Sequence, residues 1–153
     1  LHTDPHPGNY LVTYHPRLGI LDFGSIRVFG APLRRAYAEL CRALLARNES
    51  GVADACRSLG FLGDSEPARP LIGVLECLLE PLLVDRDYDP AEYRSMDKAM
   101  STAQTVVEHR IFRAPGHRVF LLRALVGLES YVKQLGTVTN WRRVFEEEVE
   151  AAL

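Results

Sequence analysis

His2-Thr3-Asp4-Pro5-His6-Pro7-Gly8-Asn9, followed after a strand, a turn and a strand by Leu21-Asp22-Phe23-Gly24, is the stretch that decides the fold of this chain. Asp4 and Asn9 stand five residues apart on a loop stiffened by proline and carrying Gly8. Asn9-Tyr10-Leu11-Val12-Thr13-Tyr14 is rich in aromatic and β-branched residues and predicts a short strand. His15-Pro16-Arg17 supplies a turn. Leu18-Gly19-Ile20-Leu21 predicts a second strand that ends at Asp22, thirteen residues after Asn9. A hairpin returns the chain to where it started, so Asp4, Asn9 and Asp22 are set at neighbouring strand ends. Three oxygen-bearing side chains gathered this way suit phosphoryl transfer. One carboxylate orients the attacking group or takes its proton, while a carboxylate and an amide oxygen hold Mg²⁺ against a triphosphate.

An Asp-x-x-x-x-Asn segment and an Asp-Phe-Gly segment are each weak signals alone. In this order, at this separation and joined by a hairpin, they have the spacing of protein-kinase catalytic loops. The segments H-T-D-P-H-P-G-N and L-D-F-G together resemble the AarF/UbiB/ADCK family of atypical, protein-kinase-like proteins linked to coenzyme Q biosynthesis. The resemblance extends further. Asp22-Phe23-Gly24-Ser25-Ile26-Arg27 leads almost directly into a helix, with no long activation segment and no A-P-E, and Glu108-His109-Arg110 ahead of a proline and a long helix is also similar. The resemblance implies that Asp4 is the catalytic Asp and that Asn9 and Asp22 are metal ligands. With Gly24, these two would bind Mg²⁺ and ATP. It gives His2 a buried structural role, places Gly8 and Phe23 as structural residues of the site, and assigns backbone freedom to Gly8 and Gly24. His6 falls outside the catalytic set as a loop hydrogen-bonder.

Beyond residue 30 the pattern is helical. Leu33, Tyr37, Leu40, Cys41, Leu44 and Leu45 follow the three–four spacing of an amphipathic helix, with Pro32 in its first turn. Ser50 is placed to cap a second helix carrying Val52, Cys56 and Leu59 and stopped by Gly60. A third helix, nearly apolar throughout, is predicted from about Pro67 to Glu80. Asp89-Pro90-Ala91-Glu92 reads as a helix start, with a capping Asp, Pro at the first position and Glu three after the cap. That helix is expected to reach about His109. A fifth, with Leu121, Leu125, Leu128, Val132 and Leu135, ends at Gly136, and a last one opens near Asn140. The expected fold is therefore mainly α: a protein-kinase-like carboxyl-terminal lobe with one short β-hairpin (about 10–14 and 18–22) packed on about six helices. Residues 1–30 would carry the catalytic loop, hairpin and D-F-G, and residues 31–153 a helical subdomain.

Composition agrees with a folded chain and excludes several classes. Of 153 residues, 47% are hydrophobic and 25% charged, close to the averages for soluble domains, so disorder and low-complexity architectures are out. A chain of this length buries about 68–70% of its unfolded surface. The densest apolar run, Leu71 to Val84, is broken by Gly73, Glu76, Glu80 and Pro81, and falls short of the roughly 20 residues of a membrane span. Eighteen Lys and Arg against twenty Asp and Glu leave a net charge of −2, without the basic footprint of a nucleic-acid binder. Cys41, Cys56 and Cys77 are odd in number and too widely spaced for a zinc motif, and are expected to be buried free thiols of a reducing compartment.

The chain begins at Leu1, just ahead of the catalytic loop, and is expected to be part of something longer. Relative to the family it lacks the amino-terminal half: no Ala- or Gly-rich nucleotide loop, no strand Lys paired with a helix Glu, and no K-x-G-Q segment. Gly19-x-x-x-x-Gly24 continues into Ser25-Ile26 and is not a P-loop. With half of a nucleotide site, the isolated chain is expected to have negligible kinase activity. The resemblance implies, for the intact protein, an atypical kinase or ATPase supporting ubiquinone biosynthesis. Its ligands would be ATP and a lipid or quinone-pathway small molecule, and its place the cytoplasm or a membrane surface (the matrix side in a mitochondrion). Three alternatives stand beside it. An aminoglycoside/choline phosphotransferase-like kinase shares an H-x-D-x-H-x-x-N loop. His2, Asp4 and His6 also permit a metal hydrolase, and the amphipathic helices permit a non-catalytic module binding lipid or a partner protein.

Overall fold

The computed structural model describes residues 1–15, 17–92 and 116–153. Strands β1 (Tyr10–Val12) and β2 (Leu18–Ile20) form an antiparallel pair in the register Tyr10↔Ile20, Leu11↔Gly19 and Val12↔Leu18. Both are shorter than the sequence predicts. At the turn, the Thr13 N–H already donates to the Arg17 carbonyl (3.1 Å), and at the open end Asp22 leaves extended backbone for the left-handed region with φ 57°. Six α-helices lie among the described residues: α1 (Ala31–Leu45), α2 (Glu49–Ser58), α3 (Arg69–Leu78), α4 (Glu80–Leu83), α5 (His117–Leu135) and α6 (Trp141–Ala152). The fold is mainly α with a single two-stranded sheet among those residues, as expected of a kinase-like lobe.

Helix boundaries follow local chemistry, with two departures from the sequence reading. The cap of α2 is Asn48, whose side-chain oxygen accepts from Gly51 N–H (3.1 Å); Ser50 lies inside the helix and donates to that same oxygen (2.9 Å). The long apolar helix predicted over 67–80 is two helices. Pro81 has no N–H to give to the preceding turn and its ring crowds it, so α3 ends at Leu78 and α4 restarts with Pro81 in its first turn. Asn140 caps α6 by accepting from Arg143 N–H (3.3 Å), and Gly136 leaves α5 at φ 60°. Asp89 caps as predicted, accepting from Ala91 N–H (2.8 Å), and opens a 3₁₀ turn over Pro90–Glu92. The continuation of that helix and the Glu108-His109-Arg110 segment lie outside the described residues.

The chain divides into two compact units. One holds Leu1–Phe29 together with α5; the other holds α1 to α4 and α6. The hydrophobic core belongs to the second. Leu40 and Leu44 of α1 meet Val52 and Cys56 of α2, Leu71 and Ile72 of α3, and Leu59, Phe61 and Leu62 from the connection between α2 and α3. The 3.6-residue repeat puts those side chains on one stripe per helix, and sharing the stripes removes them from water. Tyr37 meets Phe61 edge-on with ring centroids 6.2 Å apart. Helix α6 packs on α1 and α4, and Arg142 Nη1 donates to the Leu83 carbonyl (3.0 Å). Cys56 is fully buried, while Cys41 and Cys77 are half-buried; all three are free thiols. Burial pushes the Cys41 thiol up to about 11. No helix among the described residues is long and apolar enough to cross a membrane.

Candidate active site

The site is built in the first unit, where two segments far apart in sequence are stitched together. Thr3, with 0% of its surface exposed, donates its backbone N–H to the Ser25 carbonyl (2.8 Å), and its hydroxyl donates to the same oxygen (3.0 Å) while sharing a hydrogen bond with Ser25 Oγ (2.7 Å). An isolated bridge pairs His2 with Ile26, and Arg27 N–H donates to the Leu1 carbonyl (2.9 Å). These bonds lock the residues before Asp4 to the residues after Asp22. On the other side of the loop, Leu21 N–H donates to the Asn9 carbonyl (2.7 Å) and extends the hairpin to its open end. Asp4, Asn9 and Asp22 are thus carried by backbone segments that hydrogen-bond to one another.

Each predicted site residue has a definite setting. The Asp4 carbonyl accepts from His6 N–H (2.8 Å) and from the Asn9 side-chain amide (3.1 Å), closing the loop on itself. The same Asn9 amide donates to Asp4 Oδ2 (3.0 Å), and Asn9 is almost fully buried. This turns the Asn9 nitrogen toward Asp4 and leaves its Oδ1 without a hydrogen-bond partner among the described residues. Asp22 sits at φ 57° and ψ 81°, a conformation that costs a non-glycine residue energy. Two bonds hold it there: His2 Nε2 donates to the Asp22 carbonyl (2.9 Å), and Asp22 Oδ1 accepts from Gly24 N–H (3.0 Å). A carbonyl only accepts, so His2 carries its proton on Nε2, and its Nδ1 is buried with no partner among the described residues. Asp22 itself is exposed.

The two glycines act by close approach. Neither Gly8 nor Gly24 has a positive φ; the left-handed residue of this loop pair is Asp22. A Cβ on Gly24 would stand 3.0 Å from Asp22 Oδ1, and one on Gly8 3.1 Å from His6 Nδ1. His6 Nδ1 accepts from Gly8 N–H (3.1 Å) and caps the 3₁₀ turn over Pro7–Asn9. Phe23 is 66% exposed and Tyr14 fully so, whereas Tyr10 packs between His2 and Tyr131 at centroid distances of 6.0 and 5.7 Å.

Helix α5 supplies contacts that the motifs do not announce. Arg123 Nη2 donates to Asp4 Oδ1 (2.6 Å), and the Tyr131 hydroxyl donates to the Pro5 carbonyl. Between them Gly127 lies so close to the Pro5 ring that a Cβ there would overlap it. Positions 123, 127 and 131 recur every four residues and share one helix face. Burial first, then the neighbouring Tyr10 phenol and the Asp4 carboxylate, raise the Tyr131 phenol above its ordinary value and keep it a donor. The predicted apolar stripe does not describe this face: Leu125, Leu128 and Leu135 are exposed.

The donor chemistry fits a hard cation that keeps water and phosphate oxygens in its shell. Asn9 Oδ1 and the Asp22 carboxylate are oxygen donors, and such sites need only one or two protein carboxylates. Among the described residues no group of three His, Cys, Asp or Glu gathers in the manner of a zinc or iron site. His2 Nε2 and His6 Nδ1 are both engaged by backbone groups.

Residues 1–56 match the family model of the ABC1 atypical kinase-like domain. A chloroplastic aarF domain-containing protein kinase of Arabidopsis thaliana, itself described as uncharacterized, is 29% identical over 150 residues, covering 92% of this chain and 21% of that protein. The mitochondrial atypical kinase coq-8 of Caenorhabditis elegans is 23% identical over 155 residues, covering 96% of this chain and 20% of that one. The chain is thus similar to AarF-type atypical kinases. A second Arabidopsis thaliana protein, the chloroplastic Activity of BC1 Complex Kinase 3, is 28% identical over 129 residues. The chain spans about a fifth of the length of these curated relatives. The loop and hairpin that carry Asp4, Asn9 and Asp22 lie within the segment matched by the ABC1 model, whereas Arg123, Gly127 and Tyr131 lie outside it.

Proposed function

We propose that this chain carries the catalytic half-site of an atypical kinase or ATPase that acts on Mg-ATP. Asp4 is the carboxylate that receives the proton of the attacking group, and Asn9 Oδ1 with the Asp22 carboxylate would hold Mg²⁺ against the nucleotide phosphates. When bound, the cation would neutralise phosphate charge as it develops in transfer. His2 and Gly24 fix the strained Asp22 backbone, and Gly8 lets the loop turn tightly enough for Asn9 to reach back to Asp4. The observation that carries this reading is the orientation of Asn9. Its nitrogen is committed to Asp4 (3.0 and 3.1 Å), so its oxygen is the atom left for a cation.

The upper side of the nucleotide would be covered by other parts of the intact protein. The role in ubiquinone biosynthesis that the family resemblance implies belongs to this proposal too, as do a lipid or quinone-pathway acceptor and residence at a membrane surface. The test is Mg-ATP binding to the intact protein by calorimetry and thermal shift. Wild-type protein is expected to be stabilised by Mg-ATP, and Asn9→Ala and Asp22→Asn to lose that stabilisation, each measured against its own melting temperature without ligand. Asparagine is chosen at position 22 because it tolerates the left-handed backbone. Mg-ATP stabilisation unchanged in both variants would refute the assignment. Stabilisation by quinone-like compounds or lipid vesicles and not by Mg-ATP would favour the non-catalytic module.

A further inference from the structure

We propose that Arg123 is the positioning residue of the Asp4 carboxylate, delivered to the site by a helix face built to grip the loop. This role rests on the phosphoryl-transfer reading above. Asp4 Oδ2 is held by Asn9 and Oδ1 by Arg123, so neither rotation about the carboxylate nor a change of rotamer is free. The partners are 119 residues apart in sequence, and their contact depends on how α5 is docked. Gly127 and Tyr131 set that docking against Pro5, one residue from the carboxylate. Arg123 is 56% exposed at its side chain, so the pair, as a surface ion pair, contributes little to stability. Its consequence is orientational. A carboxylate that must meet a hydroxyl proton works only in a narrow geometry, and a misplacement of about 1 Å costs about 100-fold in rate.

Asn9 marks the limit of the effect. Its amide also donates to the Asp4 backbone carbonyl, so losing Arg123 leaves the Asn9 oxygen turned as before. Arg123 therefore governs turnover and leaves cation and nucleotide binding alone. In the intact protein, Arg123→Gln is expected to lower kcat about 10- to 100-fold, with Mg-ATP affinity and Mg²⁺ dependence unchanged. Arg123→Lys, which keeps a cation but not the planar fork, is expected to fall between. Arg123→Ala is expected to regain turnover on addition of millimolar guanidinium, a response that a merely structural role would not give. Gln134→Ala, on an exposed residue of the same helix, is expected to keep wild-type kcat.

A wild-type kcat in Arg123→Gln would overturn the role, as would Mg-ATP binding lost in parallel with kcat or the absence of guanidinium rescue. Absence of turnover in the wild-type protein would overturn the phosphoryl-transfer reading itself, and this role with it. The two failures are therefore told apart by the wild-type control.

Discussion

Replacing Thr3 by valine should loosen the seam that holds Asp4 near Asp22. Thr3 is completely buried, and its hydroxyl makes two hydrogen bonds, to the Ser25 carbonyl (3.0 Å) and Ser25 Oγ (2.7 Å). Valine has nearly the same shape, so no cavity forms, and the Ser25 carbonyl keeps the Thr3 N–H. At about 0.5–1.5 kcal/mol per hydrogen bond the loss is about 1–3 kcal/mol. Because the two bonds hold one local seam, the change appears in local opening. With about 1.4 kcal/mol for each factor of ten, amide hydrogen exchange at Thr3 and Arg27 should accelerate about 5- to 150-fold. Thr3→Ser is the matched control. It keeps the hydroxyl and removes one buried methyl, worth about 0.8 kcal/mol, so exchange rises only about fourfold. Exchange in Thr3→Val no faster than in Thr3→Ser would refute the claim that these hydroxyl bonds hold the seam.

Two further outcomes concern the helical unit. The Cys41 thiol is raised to about 11 from 9.0, so the folded state keeps its proton where the unfolded state loses it; stability should be steady below pH 9 and fall between pH 9 and 11, by on the order of 2 kcal/mol, in urea titrations. Cys41→Ala should remove that part of the slope, and an equal slope in the variant would refute the burial argument. Leu44→Ala, truncating a side chain only 4% exposed in the core, should cost about 2–5 kcal/mol in the same titrations, and a loss below about 1 kcal/mol would show that the α1–α2 contact closes over the gap.

What was legible in the sequence is what local chemistry controls. The spacing of Asp4, Asn9 and Asp22 around a strand–turn–strand announces a loop and a hairpin, because both are short-range structures and the turn returns the chain on itself. Helices α1 and α6 follow from apolar periodicity and caps, as does Gly60 as a stop after α2, at φ 69°. Where the structure departs from the pattern, local groups compete. Asn48 takes the capping position ahead of Ser50, and Pro81 divides a helix whose apolar pattern runs straight through it.

Tertiary structure decided the rest. The composition of α5 points to its leucines, yet the face that meets the loop is Arg123, Gly127 and Tyr131, chosen by a proline ring and a carboxylate more than a hundred residues away. Periodicity describes which residues share a face; it carries no information about what is packed there. The orientation of the Asn9 amide and the left-handed backbone of Asp22 have the same origin. Each is set by hydrogen bonds to groups that only the folded chain brings within 3.1 Å. Sequence alone therefore singled out Asp4, Asn9 and Asp22, and the fold decided how their atoms are hydrogen-bonded.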